Sequence, residues 1–529
     1  MVKQGVIGSF LHVLDVKEAN HLQKLAEQSP LKIPLLLGID AIHGNGLMSG
    51  STIYPSPITM ASTFDPSLIE QSFRQTALEM RTVGMHWAFS PNIEVARDPR
   101  WGRVGESFGE DPFLVTQMGI ASVRGLQMKV FDKDKSVLAC VKHLTGGGIG
   151  NNGTNASPVE IGEGELRNVF LAPFKATIEK TKPYSLMPAH NEINGVPCHA
   201  NKWLMTDVLR KQWGFKGFVV TDFTGIPEMI EHGMGNLQDV SALALNAGVE
   251  MDMMNRSYDN HLGDLVKEGK VSEELLNDAV RRVLRVKFKL GLFDRPYTPT
   301  TTEKQRFYRP ESLKIAEQLA EESIVLLKNK DRALPLTSAK KILVIGPMAK
   351  SQWNLLGSWA AQGKSDDIIS ISDALQAEFK GKAEVSYALG ADFDGQDKKG
   401  FEEAKALAAK SDVIVLCLGE KKNWSGENAS RSTIALPQIQ EELAVELKKL
   451  GKPIILVLSS GRPLELNRLE PISDAILTIW QPGTPGGRPL SGVLSGRVNP
   501  SGKLAMTFPF STGQIPIYYN YRQSARPHQ

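Results

Sequence analysis

Short apolar runs alternate with longer amphipathic stretches through the first 290 residues. In the amphipathic stretches, apolar residues recur at helical spacing, as in 66–80 and 272–290. About seven strand–helix repeats are typical of a parallel α/β architecture, and over this length they favour a (β/α)8-like, TIM-type barrel over an open sheet. The pattern shows no clear eighth strand, so the prediction includes an incomplete barrel. The predicted strands are VIGSFL (6–11), IPLLLGI (33–39), MHWAFS (85–90), VLACVKH (137–143), YSLMPAH (184–190), FVVTD (218–222) and VEMDM (249–253).

A second pattern follows a stretch at 293–312 that is rich in Pro and Thr and lacks apolar periodicity, as linkers do. Beyond it, continuous apolar runs indicate strands buried on both faces of a doubly wound α/β domain. We therefore predict a barrel domain at 1–292, a linker at 293–312 and an α/β sandwich domain at 313–529. The continuous runs are KILVIGP (341–347), DVIVLCLG (412–419), PIILVLSS (453–460) and AILTIW (475–480).

Composition excludes several classes of protein. A chain of 529 residues is too long for one core. Its net charge of +3, without a basic block, argues against nucleic acid as a partner. No apolar run is long enough to span a membrane. The cysteines, Cys140, Cys198 and Cys417, give neither a disulfide framework nor metal-ligand spacing, so we expect no metal.

Ionisable residues follow five successive predicted strands, the second to the sixth, and reactive groups of a (β/α) barrel gather at the C-terminal ends of its strands. Taken alone, Asp222 fits a helix cap and His143 fits a satisfied barrel histidine. Together, acids and bases at one mouth suit a polyhydroxylated neutral ligand. Gly-rich 146–150 lacks the spacing of a dinucleotide site. The strand-end candidates are Asp40, Arg103, Lys142, His143, His190 and Asp222.

Several sequence blocks occur in the order seen in glycoside hydrolase family 3, and over nearly the whole chain the sequence resembles bacterial periplasmic-type β-glucosidases. This resemblance implies a barrel followed by an α/β sandwich, with the active site between them. It further implies a retaining double displacement that uses no cofactor. The blocks include LLLGIDAIHG, DPRWGRVGESFGEDP, NEINGVPCHANKWLMTDVLR, GFKGFVVTDF, SGENASRSTIALP and KPIILVLSSGRPLEL.

The resemblance assigns roles residue by residue. It makes Asp222 the nucleophile and places the acid/base in the second domain, where Glu427 of NWSGENASR is the best candidate and Glu420 the other. A retaining pair should lie about 5 Å apart, with the pKa of the acid raised. Phe223 would form an apolar wall, and Trp424 either stacks on the leaving sugar or packs internally. The residues expected around the non-reducing sugar are Asp40, Arg103, Lys142, His143, Met187 and Met253.

The sequence also departs from the family pattern. It begins just before the first strand, where relatives carry a signal peptide and a helix, and it stops where many relatives add a fibronectin-like domain. These departures predict a partly uncovered barrel face and a lost buttress. They leave the compartment open, although the family suggests a periplasmic or secreted protein if the N-terminus is truncated. The loop after His143 lacks the arginine of many β-glucosidases, which bears on sugar preference.

The main hypothesis is an exo-acting β-glucosidase that takes a small or oligosaccharide β-glycoside. The sequence leaves the oligomeric state open, with a homodimer as one alternative. Within the family, β-xylosidase, α-L-arabinofuranosidase and β-N-acetylglucosaminidase remain alternatives. Two other classes also stay open: a Schiff-base barrel aldolase with Lys142 as its nucleophile, and a catalytically silent sugar-binding protein.

Overall fold

A computed structural model describes residues 1–306 and 308–523 of the chain. Its first sheet is parallel throughout, with the strand order β1-β2-β3-β4-β5-β8. A small antiparallel hairpin, β6–β7, follows β5. The strands are β1 (Ser9–Leu11), β2 (Leu36–Ile39), β3 (Trp87–Ala88), β4 (Leu138–Leu144), β5 (Ser185–Pro188), β6 (Glu192–Ile193), β7 (Val196–Pro197) and β8 (Phe218–Val219).

The first sheet curls into a barrel. A parallel bridge from Val220 to Met251 adds a seventh strand position beside β8. The sulfur of Met251 lies 4.0 Å from the hydroxyl of Ser9 in β1, so the two ends of the sheet meet. Within the described residues this sheet has no eighth strand. The interior is filled by large side chains such as Phe89, and Gly38 makes room for it, since a Cβ there would lie 2.7 Å from the Phe89 ring.

Helices cover the outside of the barrel and bury their apolar faces in one large core. Asp15, Asp65 and Asp111 cap three of them, each accepting hydrogen bonds from the first-turn amides. Two further segments, Leu166–Phe170 and Trp203–Gln212, are π-helical. The helices are α1 (Val16–Ala26), α2 (Pro57–Ala61), α3 (Pro66–Arg81), α4 (Pro112–Gln127), α5 (Glu163–Glu165), α6 (Ala172–Thr181), α7 (Leu237–Ala247), α8 (Ser257–Lys267), α9 (Glu273–Lys289) and α10 (Pro310–Ser323).

The second sheet has the order β11-β10-β12-β13-β14-β9, parallel except for the antiparallel edge strand β9. A hydrophobic cluster lies on each of its faces, which makes a three-layer sandwich. Its strands are β9 (Val325–Asn329), β10 (Lys341–Ile345), β11 (Glu384–Ala388), β12 (Val413–Gly419), β13 (Ile454–Ser459) and β14 (Ala475–Thr478). Its helices are α11 (Gln352–Leu355), α12 (Ile371–Glu378), α13 (Gly400–Lys410), α14 (Gln438–Lys448) and α15 (Arg488–Ser495).

The four continuous apolar runs of the second half form the central strands of this sheet, as predicted. The edge strands β9 and β11 were absent from the prediction, because their residues are only partly buried and their sequences are not continuously apolar. Helix α10 sends Ile315, Ala316 and Leu319 into the core around the barrel. The domain limits at 292 and 313 stay predictions. No helix in the described part of the chain is long and apolar enough to cross a membrane.

The two halves touch through closely packed backbone near the C-terminal ends of the barrel strands. Gly426 donates from its backbone amide to the carbonyl of Gly102 across this interface, at 2.7 Å. A Cβ on Gly102 would lie 2.3 Å from the Gly426 carbonyl oxygen, so a larger residue at 102 would force the halves apart. The interface therefore holds the loop after β12 directly above the barrel mouth.

Candidate active site

Asp222 follows β8 at the barrel mouth and is nearly buried. Its Oδ1 accepts a hydrogen bond from the backbone amide of Phe223 at 2.7 Å. Its Oδ2 is buried and, among the described residues, has no hydrogen-bond partner. Burial would raise the pKa of this carboxyl, but His143, His190, Lys142 and Arg103 together hold it below the usual value. The site thus contains an ionised carboxylate with one uncommitted oxygen.

Asp40, at the end of β2, forms a buried ion pair with Lys142 of β4. The Lys142 ammonium donates to Asp40 Oδ1 at 2.7 Å, and His12 Nε2 lies 2.9 Å from Asp40 Oδ2. Burial opposes ionisation of both partners, yet the pair lowers the pKa of Asp40 and raises that of Lys142. A Schiff-base lysine needs the opposite shift, because it must react as the free amine. This contact therefore argues against the aldolase alternative.

His143 lies between two carboxylates. Its Nδ1 is 3.1 Å from Glu94 Oε2, and its Nε2 is 3.5 Å from Asp222 Oδ2. Burial and the positive charge of Arg103 push the pKa of His143 well below its ordinary value, so the ring is neutral. Burial raises the pKa of Glu94 to about 7. The His143 ring thus lies between the carboxyl groups of Glu94 and Asp222.

Arg103 joins the barrel to the second domain. Its guanidinium donates to both oxygens of Glu106, and its Nη1 lies 3.7 Å from Glu427 Oε1. Glu427 sits in the loop of residues 420–431, called here the Glu427 loop. Burial, followed by the charges of Asp222 and Glu106, raises the pKa of Glu427 although Arg103 opposes the shift. Asp222 and Glu427 thus have environments that push their pKa values apart, as an ionised and a protonated carboxyl pair requires.

Glu420, the other acid considered for this loop, is bound differently. It is fully buried, and its two oxygens pair with Arg431 and with Arg462. Arg462 is itself completely buried and donates to backbone carbonyls on both sides of the interface. Glu420 therefore belongs to the structural support of the Glu427 loop. The carbonyls that accept from Arg462 are those of Pro99, Arg100 and Trp101 in the barrel and of Trp424 and Ala429 in the loop.

The remaining predicted residues surround the site unevenly. Met187 is buried in the barrel interior, and Met253 packs against the same cluster. Phe223 is half exposed next to the Asp222 carboxylate, consistent with an apolar wall. Trp424 packs against the core of the second sheet, and Arg431 lies over its ring at 5.1 Å. These contacts fit the packing role considered for Trp424 better than the stacking role.

Family models match both halves of the chain. The Glycosyl hydrolase family 3 N terminal domain matches residues 2–286, and the Glycosyl hydrolase family 3 C-terminal domain matches residues 324–529. The chain belongs to glycosyl hydrolase family 3. The predicted family, its glycoside hydrolase class and the succession of TIM-type barrel and α/β sandwich are thereby confirmed.

Named relatives of this family 3 chain include both glucosidases and xylosidases. A periplasmic beta-glucosidase of Salmonella typhimurium is 36% identical over all of this chain and 72% of its own length. A beta-xylosidase of Formosa agariphila is 37% identical over 96% of this chain and 73% of its own. The crystal structure of a beta-glucosidase from Listeria innocua in complex with isofagomine is similar with a TM-score of 0.93, at 37% identity, covering 98% of this chain and 72% of that one.

Three side chains of this family 3 site lay outside the set assigned from the resemblance. Glu94 and His12 support His143 and Asp40. His12 directly follows the first predicted strand, so its position could have marked it, whereas Glu94 lies beyond the end of the third. Trp359 comes from the second domain, with its ring 5.8 Å from the Lys142 ammonium. No local sequence signal marks Trp359, because its place depends on docking: a Cβ on Gly46 would lie 2.1 Å from the Trp359 carbonyl oxygen. Within the described residues, no group of three or more His, Cys, Asp and Glu could hold a metal ion.

Proposed function

We propose that this family 3 enzyme is a retaining, exo-acting β-glucosidase that removes terminal non-reducing β-D-glucosyl residues. The observation that carries the proposal is a pair of carboxyl groups with opposed pKa shifts. The pKa of Asp222 is lowered, so this group is ionised, and one of its oxygens is free. The pKa of Glu427, which lies on the other side of Arg103, is raised, and this favours its protonated form. A retaining glycosidase needs one carboxylate to attack and one carboxylic acid to protonate the leaving oxygen.

The reaction has two displacements. In the first, Asp222 Oδ2 forms a bond to the anomeric carbon as the glycosidic C–O bond breaks, and the leaving oxygen takes the proton of Glu427. In the second, Glu427 as a carboxylate removes a proton from water, the water oxygen attacks the anomeric carbon, and the bond to Asp222 breaks. Each step inverts the anomeric centre, so the product keeps the β-configuration.

The sugar in the first subsite would be held by the ion pair beside the nucleophile. Asp40 can accept hydrogen bonds from two neighbouring hydroxyl groups, while Lys142 donates and fixes the carboxylate. Arg103 and His143 complete the polar wall, and Met187, Met253 and Phe223 supply apolar surface. Glucose is our proposed sugar because a periplasmic beta-glucosidase matches all of this chain and a beta-glucosidase structure matches 98% of it. The named xylosidases make xylose the alternative to be tested.

The test is intact-mass spectrometry after incubation with 2-deoxy-2-fluoro-β-glucosyl fluoride, followed by peptide mapping. We expect one adduct per chain, on the peptide that contains Asp222. The matching xylosyl reagent, used in parallel, separates the two sugars: faster labelling by it would replace glucose by xylose in the proposal. An adduct on another residue would overturn the assignment of the nucleophile. Light scattering of the purified protein separately decides between a monomer and a homodimer.

A further inference from the structure

Two imidazole nitrogens lie near one oxygen of the Asp222 carboxylate. His143 Nε2 and His190 Nε2 lie 3.5 Å and 3.4 Å from Asp222 Oδ2. Each ring is held from behind by a carboxyl group, Glu94 at 3.1 Å from His143 Nδ1 and Glu228 at 2.7 Å from His190 Nδ1. The mouth of the barrel thus contains two histidine–carboxyl pairs that converge on the oxygen proposed to attack the sugar.

The two pairs differ in charge. His143 is completely buried and faces Arg103, so it stays neutral. Burial alone would do the same to His190, but the hydrogen bond to Glu228 and the nearby Asp222 raise the pKa of His190 above its ordinary value. A protonated imidazole donates from both nitrogens at once, whereas a neutral one donates from a single nitrogen. His190 is therefore the ring that can bind Glu228 and Asp222 together.

Three carboxyl groups from different elements face His190 and favour its cation against the effect of burial. Asp222 faces it from the end of β8, Glu228 from the turn of helix at Pro227–Ile230, and Glu427 from the second domain. The other ring beside it is His199, whose centroid lies 5.8 Å away. Burial lowers the pKa of His199 to about 3, so that ring adds no charge, and its Nε2 accepts the backbone N–H of Asp222.

We propose that His190, held by Glu228, is a positioning residue whose cation, with Nε2 3.4 Å from Asp222 Oδ2, keeps the nucleophile oriented and ionised in acid. The proposal rests on the proposed function, since it concerns the oxygen that attacks. We call Glu228, His190 and Asp222 together the relay. Glu228 is half exposed and is the end of the relay that solvent reaches, so salt should weaken its effect.

The relay acts differently in the two displacements. In the free enzyme the His190 cation stabilises the Asp222 carboxylate. In the glycosyl-enzyme Asp222 is an uncharged ester, so that interaction is lost, and it returns as the carboxylate leaves in the second step. Losing the relay should therefore slow release of the sugar from Asp222 and confine the enzyme to higher pH. It should change the barrel fold little.

The test uses four variants: Glu228→Gln, His190→Phe, the double variant and Glu192→Gln. The last is the matched control, because Glu192 accepts from His232 in a similar pair at 2.9 Å that does not reach Asp222. The acid limb of kcat/KM is measured in assays short enough to avoid acid inactivation. Without the cation, Asp222 protonates at higher pH, so the limb moves up. At a pH just below the new limb, we expect roughly three- to tenfold lower kcat/KM than in the wild type.

Non-additivity decides whether the two residues act as one unit. The double variant should shift the limb no further than His190→Phe alone, and Glu192→Gln should leave the limb in place. High salt should shrink the difference between wild type and Glu228→Gln. The proposal would be overturned if the acid limb of kcat/KM lay at the same pH in all variants, or if activity fell by the same factor at every pH. A merely structural role predicts those results.

A second readout needs no turnover. With histidine labelled at Cε1, the NMR signal that disappears in His190→Phe is followed against pH in the other proteins. We expect this signal to titrate above the ordinary histidine range in the wild type, and at lower pH in both Glu228→Gln and Asp222→Asn. If His190 titrated at the same pH in Asp222→Asn as in the wild type, the proposed relay would be wrong. Absent turnover with the expected titrations would leave the relay standing and contradict the proposed function instead.

Discussion

Arg103 of the barrel lies 3.7 Å from Glu427 of the second sheet's loop, while the rest of its guanidinium is bound to Glu106. A single buried cation thus connects the barrel mouth, which is proposed to bind the sugar, with the carboxyl group proposed as acid/base. Burial and the carboxylates of Asp222 and Glu106 raise the pKa of Glu427, whereas the charge of Arg103 lowers it. The site is complete only when both halves of the chain are docked.

Replacing Asp222 by Asn should lower kcat by roughly 10³-fold or more, because the amide cannot form the glycosyl ester. The variant should still fold, since the two side chains have the same shape, although loss of the charge that faces Lys142 and His190 should lower the temperature of unfolding. The control is Asp65→Asn, a helix cap at which Asn serves equally well, so activity should be retained. Turnover of Asp222→Asn close to that of the wild type would remove this residue from the mechanism.

Replacing Glu427 by Ala should discriminate between leaving groups. Alkyl glucosides need protonation of the leaving oxygen and should slow by roughly 10²- to 10⁴-fold, whereas dinitrophenyl glucosides should slow far less. Comparing kcat/KM across a series of aryl glucosides measures the difference. Glu420→Gln is the comparison variant: it leaves buried Arg462 without its carboxylate, so it should lower stability without that selectivity. The reverse pattern would make Glu420 the acid.

The alkaline limb of kcat/KM should follow Glu427, because the acid must be protonated in the free enzyme. Activity is then lost as the pH rises through the pKa of Glu427. Glu106→Gln removes one negative neighbour and releases Arg103 to Glu427, and both changes lower that pKa. We therefore expect the limb at lower pH in this variant. A limb that stays fixed, with activity otherwise measurable, would show that another group controls it.

Glu79 of α3 should make the fold less stable as the pH rises. It is buried against Ser312 of α10, and burial raises its pKa from 4.5 to about 7. The native state then binds the proton more tightly than the unfolded state, so stability falls between those two values and stays low above them. The loss should approach about 3 kcal/mol.

Urea unfolding at about pH 5 and about pH 8 checks this loss against Glu79→Gln. In that variant the glutamine keeps an acceptor for the Ser312 hydroxyl and has no charge at any pH. We expect the variant to lose little stability over this range and to exceed the wild type at the higher pH. Parallel losses in the two proteins would contradict the prediction.

The sequence predicts the strands that are buried on both faces and misses those that are not. Strands β10, β12, β13 and β14 have continuous apolar runs, whereas edge strand β11 mixes polar and apolar residues and meets solvent. The barrel strands were found because strand and helix alternate, although the structure makes several of them shorter than the apolar runs. Hydrogen bonding to neighbours sets these limits, and local composition does not encode it.

The candidate site divides in the same way. Asp40, Lys142 and Asp222 were found from their positions at strand ends, which the barrel topology brings together. Glu427 was identified only from the family resemblance. Its loop lies some 200 residues after Asp222, and no local sequence pattern indicates that the loop reaches the barrel mouth. Trp359 and the pairing of Glu228 with His190 depend on how loops dock, so a sequence pattern cannot reveal them. The role of each of these side chains stays a prediction until the variants are measured.

The backbone contact between Gly102 and Gly426 has a consequence for exchanging parts between relatives. With no space for a side chain at 102, this barrel can accept another family member's second domain only where the incoming loop follows the same path. A chimaera whose incoming loop leaves this path would clash at Gly102, a residue that carries no chemistry. The barrel and the second domain are therefore expected to be inherited together, because recombination between relatives must preserve the fit at Gly102.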